Sequence, residues 1–281
     1  MLISLIQCIR RRVPLLLGTL LALYLAPAVV LWLGQEYLLF PAPGLSAEAL
    51  DEQAAKRGAT PIWLQTDDGV NLYGWHIDQG GSRLIIYFHG NGSSPFEAGG
   101  IAPLVVPLGY DVLAPSYRGY SPSEGRPSEV GLIEDARTAW RYATTDLGFE
   151  PDQIVLHGRS LGGGVATALA AEVEPRALVL ECTFASVRAV AQSQYPIYPA
   201  GLLLRHPFDS EARAVEVSAP VLIAHGDRDE VVPVSQGRRL AEAFPSATYF
   251  EIPGQGHGGP LLRGEGPAQE AWFQLLSEVR D

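Results

Sequence analysis

The residues best suited to chemistry are Gly158-Arg159-Ser160-Leu161-Gly162. A short apolar run, residues 154–156, stands just before them, and an Ala/Leu-rich helical stretch follows directly. A G-x-S-x-G sequence between a strand and a helix forces a sharp turn, and the serine at its apex projects its hydroxyl outward as a nucleophile. The glycines serve that geometry, because the apex backbone is strained and side chains at 158 or 162 would collide with neighbouring elements. In a chain with 30 glycines the bare motif could arise by chance. Its flanks are what make it informative.

A serine hydroxyl is a weak nucleophile at neutral pH and needs a base, most often a histidine oriented by a carboxylate. Where the serine lies on such a turn, acid and base follow it along the chain. Of the six histidines, His76, His89 and His157 precede Ser160, leaving His206, His225 and His257. His206 lies in the candidate cap segment, and His225 closes an apolar strand with no suitably placed acid in between. His257, in the glycine-rich loop 254–259, is therefore the candidate base. The acid should follow the apolar run 221–224. Asp229 lies further into that loop and is the candidate, while Asp227 suits a turn-capping role and stays in reserve. An oxyanion needs two backbone N–H donors. Leu161 offers one, and His89-Gly90-Asn91-Gly92, after the apolar run 84–88, offers the other through the Asn91 amide.

Bringing such distant residues together requires a sheet whose strands end on one edge. Residues 62–66 and 70–77, separated by Asp67-Asp68-Gly69, read as an antiparallel hairpin. The apolar runs 84–88, 111–114, 154–156, 177–180, 221–224 and 248–252 read as buried parallel strands. Helical patterns run from near Ser128 through Ala143, and over 161–173, 235–243 and 270–279. This alternation predicts an α/β fold, a mostly parallel central sheet with helices on both faces. Residues 185–217 interrupt it with Tyr195-Pro196-Ile197-Tyr198-Pro199 and Leu202-Leu203-Leu204. They form either a short cap insertion over the crevice beyond the strand ends or a surface loop packed on itself.

Composition narrows the function classes. With 47% hydrophobic residues in 281, the chain is not disordered. Net charge is −11, and Arg10, Arg11 and Arg12 are the only charges before a long apolar run, so the body beyond is more acidic still. With no basic cluster interleaved with aromatics, nucleic-acid binding is excluded. Cys8 and Cys182 are too few for a disulfide framework or a zinc site, so no metal and no cofactor is expected.

Residues 13–33 carry no charge. As a helix they would span about 30 Å, the thickness of a bilayer's hydrocarbon core. The three arginines before them keep the amino terminus cytoplasmic, giving a single-pass anchor with an extracytoplasmic body. A cleaved signal peptide, cut after Ala26-Pro27-Ala28, is the competing reading; the apolar run continues to Leu33 and Pro27 adjoins the cut, which favours the anchor. Trp32 and Tyr37 flank the end of the run, and Pro41, Pro43 and Gly44 break the helix. The division is residues 1–40, basic segment and transmembrane anchor, and 41–281, catalytic domain with its insertion at about 185–217.

From Tyr37 onward the chain resembles the α/β-hydrolase superfamily, and within it the membrane-anchored serine hydrolases of the Bem46-like and α/β-hydrolase-domain 13/17-like group. The resemblance rests on the serine motif, on His89-Gly90-Asn91-Gly92, on Tyr117-Arg118-Gly119-Tyr120-Ser121 with Ser123-Glu124-Gly125, and on Gly131-Leu132-Ile133-Glu134-Asp135-Ala136. His225-Gly226 followed by Asp229 and Val232-Pro233 is similar to the family's acid motif and supports Asp229 over Asp227. Residues 195–209 resemble its short cap. Ser116, Ser121 and Gly258 depart from the usual pattern, and none belongs to the triad. Glu181 and Cys182 match a position near the acyl pocket, where Cys182 suits packing.

The resemblance implies cofactor-free hydrolysis of an ester, thioester or related acyl bond of a small or lipid-like substrate. Ser160 attacks, His257 shuttles the proton, Asp229 orients the imidazole, and the Asn91 and Leu161 amides hold the oxyanion. A serine at 160 excludes dehalogenase chemistry, which needs a carboxylate there. Two rival readings are a serine aminopeptidase-like enzyme, with Glu211 or Asp209 binding a free amine, and a catalytically silent tethered binding module. The filled triad positions count against the latter.

Overall fold

The computed structural model describes residues 2–259, 261 and 266–278, with side chains from Arg12 onward. The side chains of Cys8, Arg10 and Arg11 and the predicted helix end at Val279 lie outside the described residues. Eight strands, β1 (Thr60–Gln65), β2 (Asn71–Ile77), β3 (Arg83–Phe88), β4 (Tyr110–Pro115), β5 (Ile154–Arg159), β6 (Ala177–Glu181), β7 (Val221–Gly226) and β8 (Ala247–Ile252), form one sheet in the order 1-2-4-3-5-6-7-8. β1 and β2 pair antiparallel, as do β2 and β4; every other pairing is parallel. The helices are α1 (Leu2–Leu39), α2 (Ala47–Ala55), α3 (Ala98–Val105), α4 (Glu129–Arg141), α5 (Leu161–Ala170), α6 (Val187–Gln194), α7 (Ala200–Leu203), α8 (Ser210–Ala214), α9 (Val234–Ala243) and α10 (Pro267–Ser277).

Alternation along the strands sends side chains to both faces. Leu84, Ile86 and Phe88 join the cluster that buries Leu132 of α4, Val165 of α5 and Leu240 of α9. Ile85 and Tyr87 join the cluster with Leu50 of α2, Ile101 of α3 and Trp272 of α10. Because β3 lies between β4 and β5, the connections beyond it diverge, opening a crevice at the carboxyl ends of these strands. Phe88 pairs with Gly158 across β3 and β5, so the loop after β3 and the serine turn emerge side by side there.

Several elements differ from the sequence reading. Helix α3 was not expected, because Gly99, Gly100 and Pro103 all disfavour helix; complete burial of Ile101 and Val105 under the sheet overrides that local preference. Segment 185–217 is an insertion with helices rather than a plain surface loop. It folds as α6, α7 and α8 between β6 and β7, and the latter two span only four and five residues, too few to show a periodicity. Helix α5 stops at Ala170, short of the predicted 173. Helix α4 begins where expected, with Ser128 Oγ accepting a 3.0 Å hydrogen bond from the Gly131 amide.

Within α1, the most apolar 18-residue window of Arg12–Leu39 has a mean hydropathy of 2.2 and is unburied, and the segment is long and apolar enough to cross a membrane. Its last turns are tied to the insertion: Gln35 donates to the Leu203 carbonyl (3.3 Å) and accepts from the Arg205 amide (2.8 Å). Arg205 also stacks on Trp32, 4.2 Å from the ring centre.

β5 lies in the middle of the sheet and sends Ile154 and Leu156 into one core and Val155 into the other. Truncating fully buried Leu156 of β5 to alanine is expected to destabilise the fold by about 2–5 kcal/mol, read as a lower denaturant midpoint. An unchanged midpoint would contradict the burial described.

Candidate active site

Ser160 sits at the apex between β5 and α5 with φ 52° and ψ −117°, a positive-φ conformation that L-residues avoid and that needs support from its surroundings. That support is specific. The Ser160 amide donates to the Glu181 carbonyl (2.9 Å), and the Ser160 carbonyl accepts from Thr183 Oγ1 (2.8 Å) and the Gly163 amide (2.9 Å). A β-carbon at 158 would overlap the Gly162 carbonyl, and one at 162 would overlap that of Phe88. Only glycine at both positions lets the turn seat itself against β3.

The three residues singled out from sequence meet in one line. His257 Nε2 lies 3.0 Å from Ser160 Oγ, and His257 Nδ1 lies 2.7 Å from Asp229 Oδ2. The carboxylate can only accept, so Nδ1 carries the hydrogen and the Nε2 lone pair faces the serine hydroxyl. Asp229 Oδ1 accepts from the amides of Val231 (2.9 Å) and Val232 (2.8 Å). Burial acts to raise the Asp229 pKa, but hydrogen bonding from His225, His257 and the Val232 amide outweighs it, holding the carboxyl well below the usual carboxylate range.

Asp227 takes the other role. Its Oδ1 accepts from the Gly254 amide (2.6 Å), and Arg228 N donates to the Gln255 carbonyl (2.9 Å), lacing the acid loop to the histidine loop. The oxyanion candidates lie on either side of the serine. Leu161 opens α5, where helix N–H groups lack intrahelical partners. A β-carbon placed on Gly90 would stand 3.6 Å from that of Ser160, so loop 89–92 lies against the serine turn. Among the described residues the main-chain N–H groups of Asn91 and Leu161 make no hydrogen bond. The Asn91 side chain holds the loop, donating to the Leu39 carbonyl (2.7 Å) and accepting from the Tyr120 hydroxyl (2.6 Å).

Two contributors escaped the sequence reading. His225, set aside there as a base, is fully buried and donates through Nε2 to the Val232 carbonyl (2.9 Å), with Asp229 Oδ2 3.3 Å away. It steadies the carboxylate, and the four-residue spacing to Asp229 was the available signal. Arg159 pairs with Glu97, which also accepts from the Gly90 amide (3.3 Å), and donates to the His257 carbonyl (3.2 Å). One guanidinium thus links the serine turn, the loop after β3 and the His257 loop. Cys182 Sγ, Asp229 and His257 offer donor atoms within 4.8 Å of one another, but the acid and base there already share the 2.7 Å hydrogen bond. Burial is the main cause that pushes the Cys182 thiol up to about 12, so it stays protonated and unreactive at neutral pH.

The depressed Asp229 pKa carries a stability consequence. Its contribution is complete above the unfolded carboxylate value of about 3.9 and is lost as pH falls from there toward the lower folded value. The stability difference between the native chain and Asp229→Asn, followed by thermal melting, should therefore shrink below about pH 4. A difference unchanged between pH 7 and pH 3 would contradict the hydrogen-bonded carboxylate.

Comparison with known proteins agrees with this architecture. An alpha/beta hydrolase fold family model matches residues 83–203, and a serine hydrolase (FSH1) model matches residues 151–263. The chain is 34% identical over 254 residues to an uncharacterized protein of Mycobacterium tuberculosis, covering 89% of each. It is 31% identical over 258 residues to an uncharacterized membrane protein of Saccharomyces cerevisiae (88% of this chain, 91% of that one), and 35% identical over 210 residues to protein bem46 of Schizosaccharomyces pombe (67% and 70%). A crystal structure of an alpha-beta hydrolase from Vibrio vulnificus superposes with a TM-score of 0.65 at 25% identity, covering 80% of this chain and 84% of that one. Homology along most of the length, together with the shared sheet, makes the chain a member of the α/β-hydrolase superfamily, in its Bem46-like group.

Proposed function

We propose that the protein is a membrane-anchored serine hydrolase that cleaves carboxylic ester, thioester or related acyl bonds through an acyl-enzyme. The observation that carries this reading is the unbroken line Ser160 Oγ, His257, Asp229, with spacings of 3.0 and 2.7 Å. His257 Nε2 takes the hydroxyl proton as Ser160 Oγ bonds to the acyl carbon, and the buried Asp229 carboxylate stabilises the imidazolium that results. The amides of Asn91 and Leu161, the latter at the positive end of α5, receive the oxyanion. The proton then passes from His257 to the leaving group. Water, activated by the same imidazole, releases the acid and restores the serine.

The peptidase alternative finds less support. Glu211, one of two cap acids available to bind an amine, is paired with Arg239 (2.9 Å), and Asp209 caps α8 by accepting from the Ala212 amide (3.2 Å). The apolar helix α1 supports anchoring, with the arginines before it facing the cytoplasm and the catalytic body outside.

A fluorophosphonate probe should label the native protein and leave Ser160→Ala unlabelled, with kcat on a 4-nitrophenyl ester falling about 10⁶-fold. Equal labelling of both would end the assignment. Asp229→Asn should keep the fold yet lower kcat about 10⁴-fold, because the amide favours the wrong imidazole tautomer. A loss of less than tenfold would remove Asp229 from the mechanism. Turnover of aminoacyl anilides above that of acyl esters would favour the peptidase.

A further inference from the structure

Anchor and cap enclose a cavity of about 320 Å³, lined mainly by apolar side chains and at the lower end of ligand-site volumes. One wall is α1, through Ala28, Leu31, Trp32, Gln35, Leu38 and Leu39. These recur three and four apart and so share one face of the helix. The opposite wall is the cap, including Val187, Ala191 and Leu203.

Two of its lining residues, Leu39 and Val187, connect to the segments that hold the serine. Leu39 carries the carbonyl that accepts the Asn91 side-chain amide (2.7 Å). Val187 follows Thr183, whose hydroxyl holds the Ser160 carbonyl (2.8 Å), by four residues. The outer end, at Tyr198, lies against the uncharged stretch of α1. Tyr24, inside the uncharged stretch, donates to the Ile197 carbonyl (2.8 Å), and the Tyr24 and Tyr198 rings lie 5.2 Å apart. Tyr24 is about 14 Å along the helix from the end of that stretch at Leu33, at 1.5 Å per residue. With α1 across a bilayer, the cap tip is therefore immersed in it. Its side chains fit that solvent, since Ile197 is 68% and Leu202 87% exposed.

We propose that this groove is an acyl-chain site that takes the hydrocarbon chain of a single-chain ester lipid sideways from the bilayer and delivers its carbonyl to Ser160. The inference rests on the serine-hydrolase reading and names its substrate class. Ser160 Oγ bonds to the lipid's carbonyl carbon and the bond to its alcohol breaks. The alcohol departs with the proton His257 took from the serine, and water then releases the fatty acid.

The test uses the full chain in phosphatidylcholine vesicles, with 4-nitrophenyl acetate and 4-nitrophenyl decanoate as probes. Each methylene buried in the groove should raise kcat/KM by up to about fourfold until the groove is full, so decanoate should exceed acetate by about 100-fold or more. Ala191→Trp fills the groove from the cap, and Ala28→Trp fills it from the anchor. Each should lower decanoate turnover at least about tenfold and leave acetate turnover unchanged. Because Ala28 lies on the anchor, its variant reports even where a tryptophan at 191 disturbs the cap. An unchanged decanoate-to-acetate ratio in both variants overturns the groove and leaves the hydrolase reading standing. If the native protein hydrolyses neither ester and takes no fluorophosphonate, both fall together.

Discussion

The structure depends on the absence of two β-carbons. Between β5 and α5 the chain turns so tightly that the main chain of residue 162 seats against the carbonyls of Phe88 and His89, while residue 158 faces residues 162 and 163. That contact places the end of β3 beside the serine and sets the depth of the crevice. The cost is a positive φ at Ser160, offset by hydrogen bonds to Glu181, Thr183 and Gly163. A strained apex held from three sides gives the hydroxyl a single direction, which a relaxed turn would not.

The second requirement is electrostatic. A carboxylate removed from water costs free energy unless its oxygens are saturated with donors. Asp229 meets that requirement with two amides of its own loop, His257 and nearby His225. The same bonds that keep it charged also fix where it points. Asp227 and Arg228 lace that loop to the one bearing His257. Arg159 extends the connection to Glu97 and the loop after β3.

Much of this was legible in the sequence because it rests on local signals. The serine turn is bracketed by glycines whose reason is steric, and the inner parallel strands are apolar runs buried on both faces, whereas β8, at the sheet edge, is only half-buried. Asp229 and His257 were reachable through chain order and loop position. What stayed hidden depends on packing between distant segments. Nothing in Ala-Gly-Gly-Ile-Ala-Pro announces α3, which exists because Ile101 and Val105 are covered by the sheet. His225 looked like the end of a strand, and its use emerges only when the Asp229 loop folds back over it. Of the helices in segment 185–217, α7 and α8 are too short to carry a period, and the bonds that Gln35 makes to Leu203 and Arg205 hold α7 against α1.

Helix α1 and segment 185–217 line an apolar groove, and Ser160 stands beside the main-chain amides of Asn91 and Leu161, which make no hydrogen bond among the described residues. The central claim is that Ser160 becomes covalently acylated during turnover. Its most direct measurement is the mass of the intact chain, quenched in acid within the first turnover of a 4-nitrophenyl ester, followed by mapping of the modified peptide. The expected result is a gain of one acyl group on the peptide containing Ser160. Turnover with no acylated chain at any quench time, or an acyl group on another residue, would contradict the account.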